Sequence, residues 1–338
     1  MYTDTIIQAQ NISIGYPKTK GSDKKVLYSN LSFNLYHGEL VCLLGANGAG
    51  KSTLLRTISA TQPTLFGNIY INNKEISSYS EKDLSRLMGL VLTDKTSAGG
   101  LTVWELVELG RYPYSGFLGQ MNSKDKDVIA KAIDNVGISH KKDSYISELS
   151  DGERQKVMIA KTLAQECPII ILDEPTAFLD VKSSIEIINL LHQLAIDHKK
   201  TILLSTHNID LALHLADRLW LLSHNEGLRY GVPEDIVLSG FLDNFFDTSN
   251  IIFNNESGNF TPKPIGKLKA YIQSDNNLHY FWTKNILTRY NVQISDNEYD
   301  SDLKIEVHSP TSIQLVINNE TIRFNNYEQL SKWLINNS

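Results

Sequence analysis

The sequence predicts an α/β fold whose core is a mixed sheet with buried parallel strands. Three short apolar runs are each followed by a helical pattern or a glycine-rich loop that opens a helix: Leu40–Leu44, Ile169–Leu172 and Thr201–Ser205. Continuous apolar runs are typical of strands buried on both faces, and strands that alternate with helices form parallel sheets. The loop after the first run leads into a helix that opens near Gly50.

The regions around this core predict two additions to the sheet. Thr5–Tyr16, Val26–Leu35 and Gly67–Ile71 alternate apolar and polar residues, which indicates an antiparallel flank with one solvated face. Between about residues 80 and 165 the patterns are mainly helical, and we expect a helical subdomain there. Residues 1–230 are therefore predicted to form one domain.

The composition changes after about residue 231. Asparagine becomes frequent, and Asn254–Gly266 contains two prolines and two glycines, so residues 231–264 are predicted to be an extension and linker. Alternating strand and helix patterns return in residues 265–338, which we expect to form a small C-terminal α+β domain. We find no catalytic cluster in this domain, and its role stays open.

Charge and cysteine content limit the class of protein. The chain has 338 residues with 32 basic and 38 acidic side chains, a net charge of −6, which argues against a generic nucleic-acid binder. Cys42 and Cys167 lie beside apolar runs and are expected to be buried thiols in a reducing compartment. Met1–Gln10 has no signal-peptide pattern, and no apolar run reaches the ~20 residues of a membrane span. We therefore expect a cytoplasmic protein that reaches a membrane only through a partner.

The nine residues after the first buried run carry the strongest chemical signal. They fit G-x-x-x-x-G-K-[ST] between a strand and a helix: Gly45, Ala46, Asn47, Gly48, Ala49, Gly50, Lys51, Ser52 and Thr53. Such a loop wraps backbone N–H groups around phosphate oxygens, and the helix directs its positive end at the same anion. Lys51 would contact the β- and γ-phosphates, and the Ser52 hydroxyl would bind Mg²⁺. A glycine turn that binds nothing would not explain the lysine and the hydroxyl.

Two acids follow the second buried run. Asp173 is a hard oxygen ligand suited to Mg²⁺, and Glu174 is placed to polarise a water that attacks the γ-phosphate. The alternative is a strand that ends in a surface turn. The nearby phosphate-binding loop makes that alternative weaker.

A third motif is the segment Leu149–Gln155. Ser150 and Glu153 fit a capping box, and the helix behind them has an apolar stripe. Alone, this segment is equally well explained as a capped core helix.

The order of these motifs, followed by Ser205-Thr206-His207, resembles the nucleotide-binding subunit of ABC transporters. The resemblance covers roughly residues 3–260 and implies a P-loop NTPase core of the ABC ATPase type in residues 1–230. The chain lacks a coiled-coil insertion and a second motif set, which disfavours the chromosome-maintenance ATPases and the tandem ABC ATPases of ribosomes.

The resemblance implies roles for further residues. Tyr16 would stack on adenine, and the alternative is a strand-end tyrosine in a turn before Pro17. Ser150, Gly152 and Glu153 would close over the γ-phosphate of ATP held by a second copy of the chain. Asp180 would lie at the dimer seam, and His207 would sense the γ-phosphate beside the catalytic Glu174 and Lys51.

Two positions depart from the family pattern. Thr93 stands where the family has a glutamine that reaches Mg²⁺ and the attacking water, and we expect its shorter hydroxyl to contact the metal less well. Asp151 and Glu153 add negative charge to the signature, which is unfavourable beside a phosphate unless the side chains point away. Arg154 is expected to offset this charge.

The segment Leu101–Tyr114 resembles importers of ferric siderophores, haem and cobalamin. Thr102 and Glu105 predict a capping box, and the Gly110-Arg111-Tyr112-Pro113 exit is not explained by an ordinary capped helix. The resemblance implies an ATPase dimer that drives membrane permease subunits on the inner face of the membrane and meets a substrate-binding protein only indirectly. The alternatives are an importer of metal ions such as zinc or manganese, and a soluble ABC ATPase that acts on nucleic acid.

Overall fold

The computed structural model describes residues 4–18, 24–92, 100–114, 121–245, 251–254, 258–318 and 320–337. The chain divides into two compact units, Met1–Phe241 and Leu242–Ser338, and each has its own buried apolar core. No helix in the described residues is long and apolar enough to cross a bilayer.

The first unit contains ten strands and eight α-helices within its described residues. The strands are β1 (Thr5–Tyr16), β2 (Lys25–Tyr36), β3 (Leu40–Leu44), β4 (Phe66–Ile71), β5 (Lys74–Glu75), β6 (Met88–Val91), β7 (Ile169–Leu172), β8 (Thr201–Ser205), β9 (Arg218–Ser223) and β10 (Gly227–Gly231). The helices are α1 (Lys51–Ile58), α2 (Glu81–Leu87), α3 (Val103–Glu108), α4 (Ser123–Asn135), α5 (Asp151–Ala164), α6 (Val181–His198), α7 (Ile209–Leu215) and α8 (Pro233–Leu238).

These strands form the mixed core and the antiparallel flank that the sequence predicts. The six-stranded sheet has the order β10-β9-β3-β8-β7-β6, with only the edge strand β10 antiparallel. Every residue of β3, β7 and β8 is buried, as expected for strands covered on both faces. The four-stranded sheet β2-β1-β4-β5 is antiparallel throughout, and side chains of both sheets share one apolar core.

The helical subdomain between residues 80 and 165 is tied together by Arg111. This side chain is almost fully buried, and it binds Asp125 in α4 at 2.9 Å, Glu166 after α5 at 2.6 Å and the carbonyl of Ala164 at 2.8 Å. Its guanidinium also stacks on the Tyr114 ring, 4.1 Å from the centroid. The arginine of the Gly-Arg-Tyr-Pro exit from α3 therefore has a packing explanation within the chain itself.

The second unit has an α+β fold and begins at Leu242, before the predicted C-terminal domain of residues 265–338. Its elements are α9 (Leu242–Phe245), β11 (Ile251–Asn254), β12 (Asn259–Pro262), β13 (Lys269–Gln273), α10 (Asn277–Arg289), β14 (Gln293–Ile294), β15 (Leu303–Ser309), β16 (Ser312–Ile317), β17 (Glu320–Phe324) and α11 (Tyr327–Asn337). A five-stranded sheet of order β14-β13-β15-β16-β17 packs with α10 and α11 around one apolar cluster.

Residues 231–264, predicted as an extension and linker, contain regular structure. β11 and β12 pair as an antiparallel hairpin in which Phe253 lies opposite Phe260, with ring centroids 4.9 Å apart. A cross-strand aromatic pair stabilises a hairpin despite neighbouring turn residues. Prolines and glycines in the sequence indicate a linker, whereas the pairing of two phenylalanines 7 residues apart is not visible in the sequence pattern.

Both cysteines are buried free thiols, as the sequence predicts. Burial raises the pKa of the Cys42 and Cys167 thiols to about 12, so neither is a thiolate at neutral pH.

Replacing Arg111 tests whether its ion pairs hold the helical subdomain together. R111A should lower the free energy of unfolding by about 3–5 kcal/mol, because Asp125 would remain as a buried carboxylate without its cation. Urea unfolding followed by circular dichroism measures the loss. R229A removes an exposed pair with Glu226 at 3.5 Å and should cost about 0–1 kcal/mol. Equal stability losses in the two variants would contradict this role for Arg111.

Candidate functional site

The loop between β3 and α1 has the geometry of an anion cradle. Gly48 and Gly50 adopt positive φ values of 79° and 92°, which L-residues avoid, and residues 46–48 form an exposed tip. Gly50 caps α1 without a side-chain hydrogen bond, and the first turn contains no acid. The N–H groups and dipole at this helix end are therefore available to an anion.

Lys51 is folded back over the loop that precedes it. Its Nζ donates hydrogen bonds to the carbonyls of Gly45 at 2.9 Å and Ala46 at 3.3 Å, and the side chain is almost fully buried. Burial lowers the pKa of this ammonium, while the carboxylates of Glu174 and Asp173 act in the opposite direction. The lysine and both predicted acids thus belong to one electrostatic site.

Ser205 at the end of β8 fixes the two acids that follow β7. Its hydroxyl donates to Asp173 Oδ1 at 2.7 Å and accepts from the Glu174 N–H at 2.8 Å. The Asp173 side chain is almost fully buried, and its backbone N–H donates to the carbonyl of Val91 on β6 at 2.8 Å. One short side chain therefore holds the carboxylate of Asp173 and the backbone of Glu174 in place.

Glu174 has a backbone conformation that is unusual for a glutamate. Its φ is 50°, in the left-handed region, where a residue other than glycine costs about 1–3 kcal/mol. Its Oε1 lies 2.5 Å from Nε2 of His207, and both side chains are partly exposed. The sharp turn after β7 therefore directs the Glu174 side chain toward His207, which lies just after the end of β8.

Two tyrosines contact the phosphate-binding loop or its helix. The hydroxyl of Tyr16, the predicted adenine contact, lies 3.4 Å from the Thr53 hydroxyl, and its ring is half exposed. The hydroxyl of buried Tyr28 donates to the Ala49 carbonyl at 2.7 Å, and its ring would lie 3.2 Å from a Cβ at Gly50. Burial raises the pKa of Tyr28 to about 12, so its phenol remains a donor at neutral pH.

The signature segment forms the predicted capping box at the start of α5. The Glu153 carboxylate accepts from the Ser150 N–H at 2.9 Å and from the Ser150 hydroxyl at 3.0 Å, and these hydrogen bonds lower the glutamate pKa. Asp151 pairs with Arg154 at 3.0 Å, as expected. Glu153 does not point away from the helix tip, so its charge lies where the resemblance places a γ-phosphate.

Ser183 lies close to both Asp180 and Gly152. Asp180 caps α6 by accepting from the Ser183 N–H at 2.7 Å, and this hydrogen bond lowers its pKa. A Cβ at Gly152 would lie 3.1 Å from the Ser183 hydroxyl. The signature and the segment predicted to lie at the dimer seam are therefore neighbours in one protomer.

The predicted site residues fall into two groups. The first group lies at one edge of the sheet and consists of the loop from Gly45 to Thr53 with Tyr16, Asp173, Glu174 and His207. Ser150, Gly152, Glu153 and Asp180 form the other group, and in the described residues no hydrogen bond or ion pair links Ser150 or Glu153 to the loop. Thr93, the predicted third metal contact, lies outside the described residues.

The donors present suit a magnesium ion that arrives with a nucleotide. The Ser52 hydroxyl and the Asp173 carboxylate are hard oxygen donors, and Asp173 is oriented by Ser205. Within the described ranges no group of three or more His, Cys, Asp or Glu residues could hold a metal. Two protein oxygens fit Mg²⁺, which usually completes its shell with water and phosphate oxygens.

The sequence reasoning missed Tyr28 and the bridging role of Ser205. Tyr28 lies 21 residues before Ala49, and a strand tyrosine carries no signal that its hydroxyl reaches a distant carbonyl. Ser205 lies in the Ser-Thr-His motif, and its place beside Asp173 follows only from the pairing of β7 with β8.

Comparisons with known proteins agree with this geometry. A family described as "ABC transporter" matches residues 28–177, and one described as "Iron ABC transporter C-terminal domain" matches residues 267–335. An ABC transporter ATP-binding protein of Methanocaldococcus jannaschii is 36% identical over 79% of this chain and 91% of that protein. The ferric enterobactin transport ATP-binding protein of Escherichia coli is 32% identical over 75% of this chain and 94% of its own length. The iron(3+)-hydroxamate import ATP-binding protein of Bacillus subtilis is 30% identical over 77% of this chain and 93% of its own length.

Solved structures give the same fold. The dimeric structure of a bacterial ABC transporter cassette matches with a TM-score of 0.59 at 28% identity, covering 68% of this chain and 99% of that one. The post-hydrolysis state of that cassette, bound to ADP and Pi, matches with a TM-score of 0.58 at 28% identity and the same coverage. With the phosphate-binding loop, the paired acids and these relatives, the chain belongs to the ABC transporter family of ATP-binding, ATP-hydrolysing subunits.

Proposed function

We propose that this chain is the ATPase subunit of an importer for ferric siderophores or related iron chelates. The observation that carries the iron assignment is the match of residues 267–335 to the iron ABC transporter C-terminal domain. The names of two relatives, a ferric enterobactin transporter and an iron(3+)-hydroxamate importer, support the same substrate class. Haem and cobalamin stay as alternative cargoes, because the Leu101–Tyr114 segment fits them equally.

The loop and the acids have different roles toward ATP. The N–H groups from Gly45 to Thr53 and the Lys51 ammonium bind the phosphates, and Tyr16 stacks on the adenine. Ser52 and Asp173 would hold Mg²⁺, which would supply neutralisation of the phosphate charge. Glu174 accepts a proton from the attacking water, and its turn after β7 fixes the direction of that contact.

Two copies of the chain complete each ATP site in this proposal. Ser150 and Gly152 of one copy cover the γ-phosphate held by the loop of the other, with Asp180 and His207 at the seam. Phe178 and Val181 on either side of Asp180 are more than three-quarters exposed, which suits a surface that a second copy covers. ATP binding closes the pair because each nucleotide gains contacts on both protomers, and loss of the γ-phosphate reopens it.

The dimer acts on permease subunits at the inner face of the membrane. Leu109 and Tyr112, in the segment that resembles importers, are half and four-fifths exposed, and they give the permease an apolar surface on the helical subdomain. The substrate-binding protein meets the permease and not this chain. A nucleic-acid role finds no support in a net charge of −6.

Uptake measurements test the substrate class. In proteoliposomes with the cognate permease and binding protein, ATP should drive uptake of iron-labelled siderophore, and E174Q should abolish it. Haem, cobalamin and zinc are assayed in parallel. Zinc uptake without iron-chelate uptake would contradict the proposal.

The general-base role of Glu174 is tested by a substitution that keeps its shape. E174Q should slow phosphate release about 10²–10⁴-fold, because an amide cannot accept the water proton. ATP binding should persist, so size-exclusion chromatography with ATP should show a trapped dimer. The control E226Q changes an exposed glutamate and should keep the parental rate. Parental hydrolysis by E174Q would refute the assignment.

Tyr28 is predicted to preorganise the phosphate-binding loop. Y28F keeps the buried ring but loses the hydrogen bond to Ala49, a net loss of about 0.5–1.5 kcal/mol, so ATP should bind about two- to tenfold more weakly. Titration calorimetry with ATP measures the change. Y79F removes a similar bond to the Ile71 carbonyl at 2.9 Å and should leave ATP affinity unchanged. Equal effects of the two variants would mean that Tyr28 acts only through stability.

The charge of Glu153 is predicted to oppose dimer closure. E153Q keeps the capping box but removes the carboxylate beside Ser150, so dimerisation should need about two- to fivefold less ATP. E105Q makes the same change in the capping box of α3, where Glu105 binds Thr102, and is the matched control. Light scattering against ATP concentration measures the shift. An unchanged or higher ATP requirement in E153Q would contradict the prediction.

A further inference from the structure

The C-terminal unit contains a cavity that the ATP site does not use. Its volume is about 350 Å³, within the ~300–1,000 Å³ range of small-molecule sites. The walls come from one face of α10, from the β15–β16 turn at Pro310 and from Tyr327 at the start of α11. The α10 residues recur at helical spacing, from Leu278 through Trp282 to Arg289.

The wall between α10 and α11 is held by hydrogen bonds. The Thr283 hydroxyl, fully buried, donates to the His279 carbonyl at 2.7 Å and lies 2.9 Å from the Tyr327 hydroxyl. Ile286 is also buried beneath the cavity face. The cavity is therefore part of the packed structure of this unit, and its shape does not depend on a loose surface loop.

Large apolar side chains at the cavity are exposed to solvent. Leu278 is 62% exposed and Trp282 is 56% exposed, and the Trp282 ring meets Phe281 edge-on with centroids 5.6 Å apart. A clustered aromatic and aliphatic surface of this kind usually contacts a ligand or partner. The flat indole face is suited to stacking on an aromatic ring.

The polar groups at the cavity favour an anion. None of the described residues that line it is acidic. Within the described part of this unit Arg289 makes no ion pair, and its guanidinium lies 5.4 Å from the centroid of the Tyr290 ring. The His279 ring makes no hydrogen bond, and its buried Nδ1 has no partner in the described part of the chain. Rotation of that ring toward an acceptor would therefore break no hydrogen bond. A planar guanidinium pairs best with a carboxylate or phosphate.

We propose that this cavity binds a small aromatic carboxylate. The ring of the ligand stacks on Trp282 between Leu278 and Tyr327, and its carboxylate pairs with Arg289. The site uses none of the residues assigned to ATP or to the permease. It is therefore independent of which chelate the importer carries.

Binding of 2-naphthoate to the full-length protein tests the site. Titration calorimetry should show saturable binding, with clearly weaker binding of the neutral analogue 2-naphthalenemethanol. R289Q and W282A should each weaken naphthoate binding about tenfold, the effect expected for loss of one charge-assisted or stacking contact. Both side chains are exposed, so neither variant should unfold, which circular dichroism checks.

R323Q is the matched control, because Arg323 is an exposed arginine of the same unit that does not line the cavity. It should bind 2-naphthoate like the parent protein. The proposal is overturned if naphthoate does not saturate, if R289Q binds as tightly as R323Q, or if the neutral analogue binds equally well. ATP hydrolysis by R289Q should match the parent, which separates this site from the ATPase proposal.

Discussion

The parallel pairing of β3, β8 and β7 is the constraint on which the site depends. Neighbouring parallel strands end at the same edge of a sheet, so the loop after β3, the acids after β7 and His207 after β8 must meet there. Backbone contacts fix the register at that edge, since the Thr206 N–H donates to the Leu43 carbonyl at 3.1 Å. Ser205 then joins two strand ends by binding both Asp173 and Glu174. A register shift of one of these strands would move the lysine, the acids and the histidine apart.

Local chemistry was predictable from the sequence, and long-range contacts were not. The glycine-rich loop, the capping box at Ser150 and the buried strands follow from neighbouring residues, and the structure contains each of them. Tyr28 and Arg111 act on residues far away in sequence, Ala49 in one case and Glu166 in the other, so no spacing rule indicates them. The hairpin of β11 and β12 was missed because its stability comes from a cross-strand pair of phenylalanines.

The helical subdomain shows how one motif can have a structural and a functional explanation. Buried Arg111 and the stacked Tyr114 account for the arginine and the second tyrosine of the Leu101–Tyr114 segment through packing alone. They do not account for Tyr112, which is four-fifths exposed beside them. The buried residues therefore give the segment a rigid shape, and the exposed Tyr112 belongs to the surface that we propose for the permease.

The exposed face of α10 carries large apolar residues, whereas a helix on the surface normally places polar residues toward solvent. Asn276 caps this helix, and the inner face of the helix contributes Ile286 and Leu287 to the core of this unit, so folding alone explains that face. Leu278, Phe281 and Trp282 contribute little to that core and remain in contact with water. Selection for stability alone would favour polar residues at these positions, which also reduce aggregation. Arg289 beside them makes no ion pair with the residues that the structure describes, and the proposed aromatic carboxylate would cover this apolar surface and bring the negative charge.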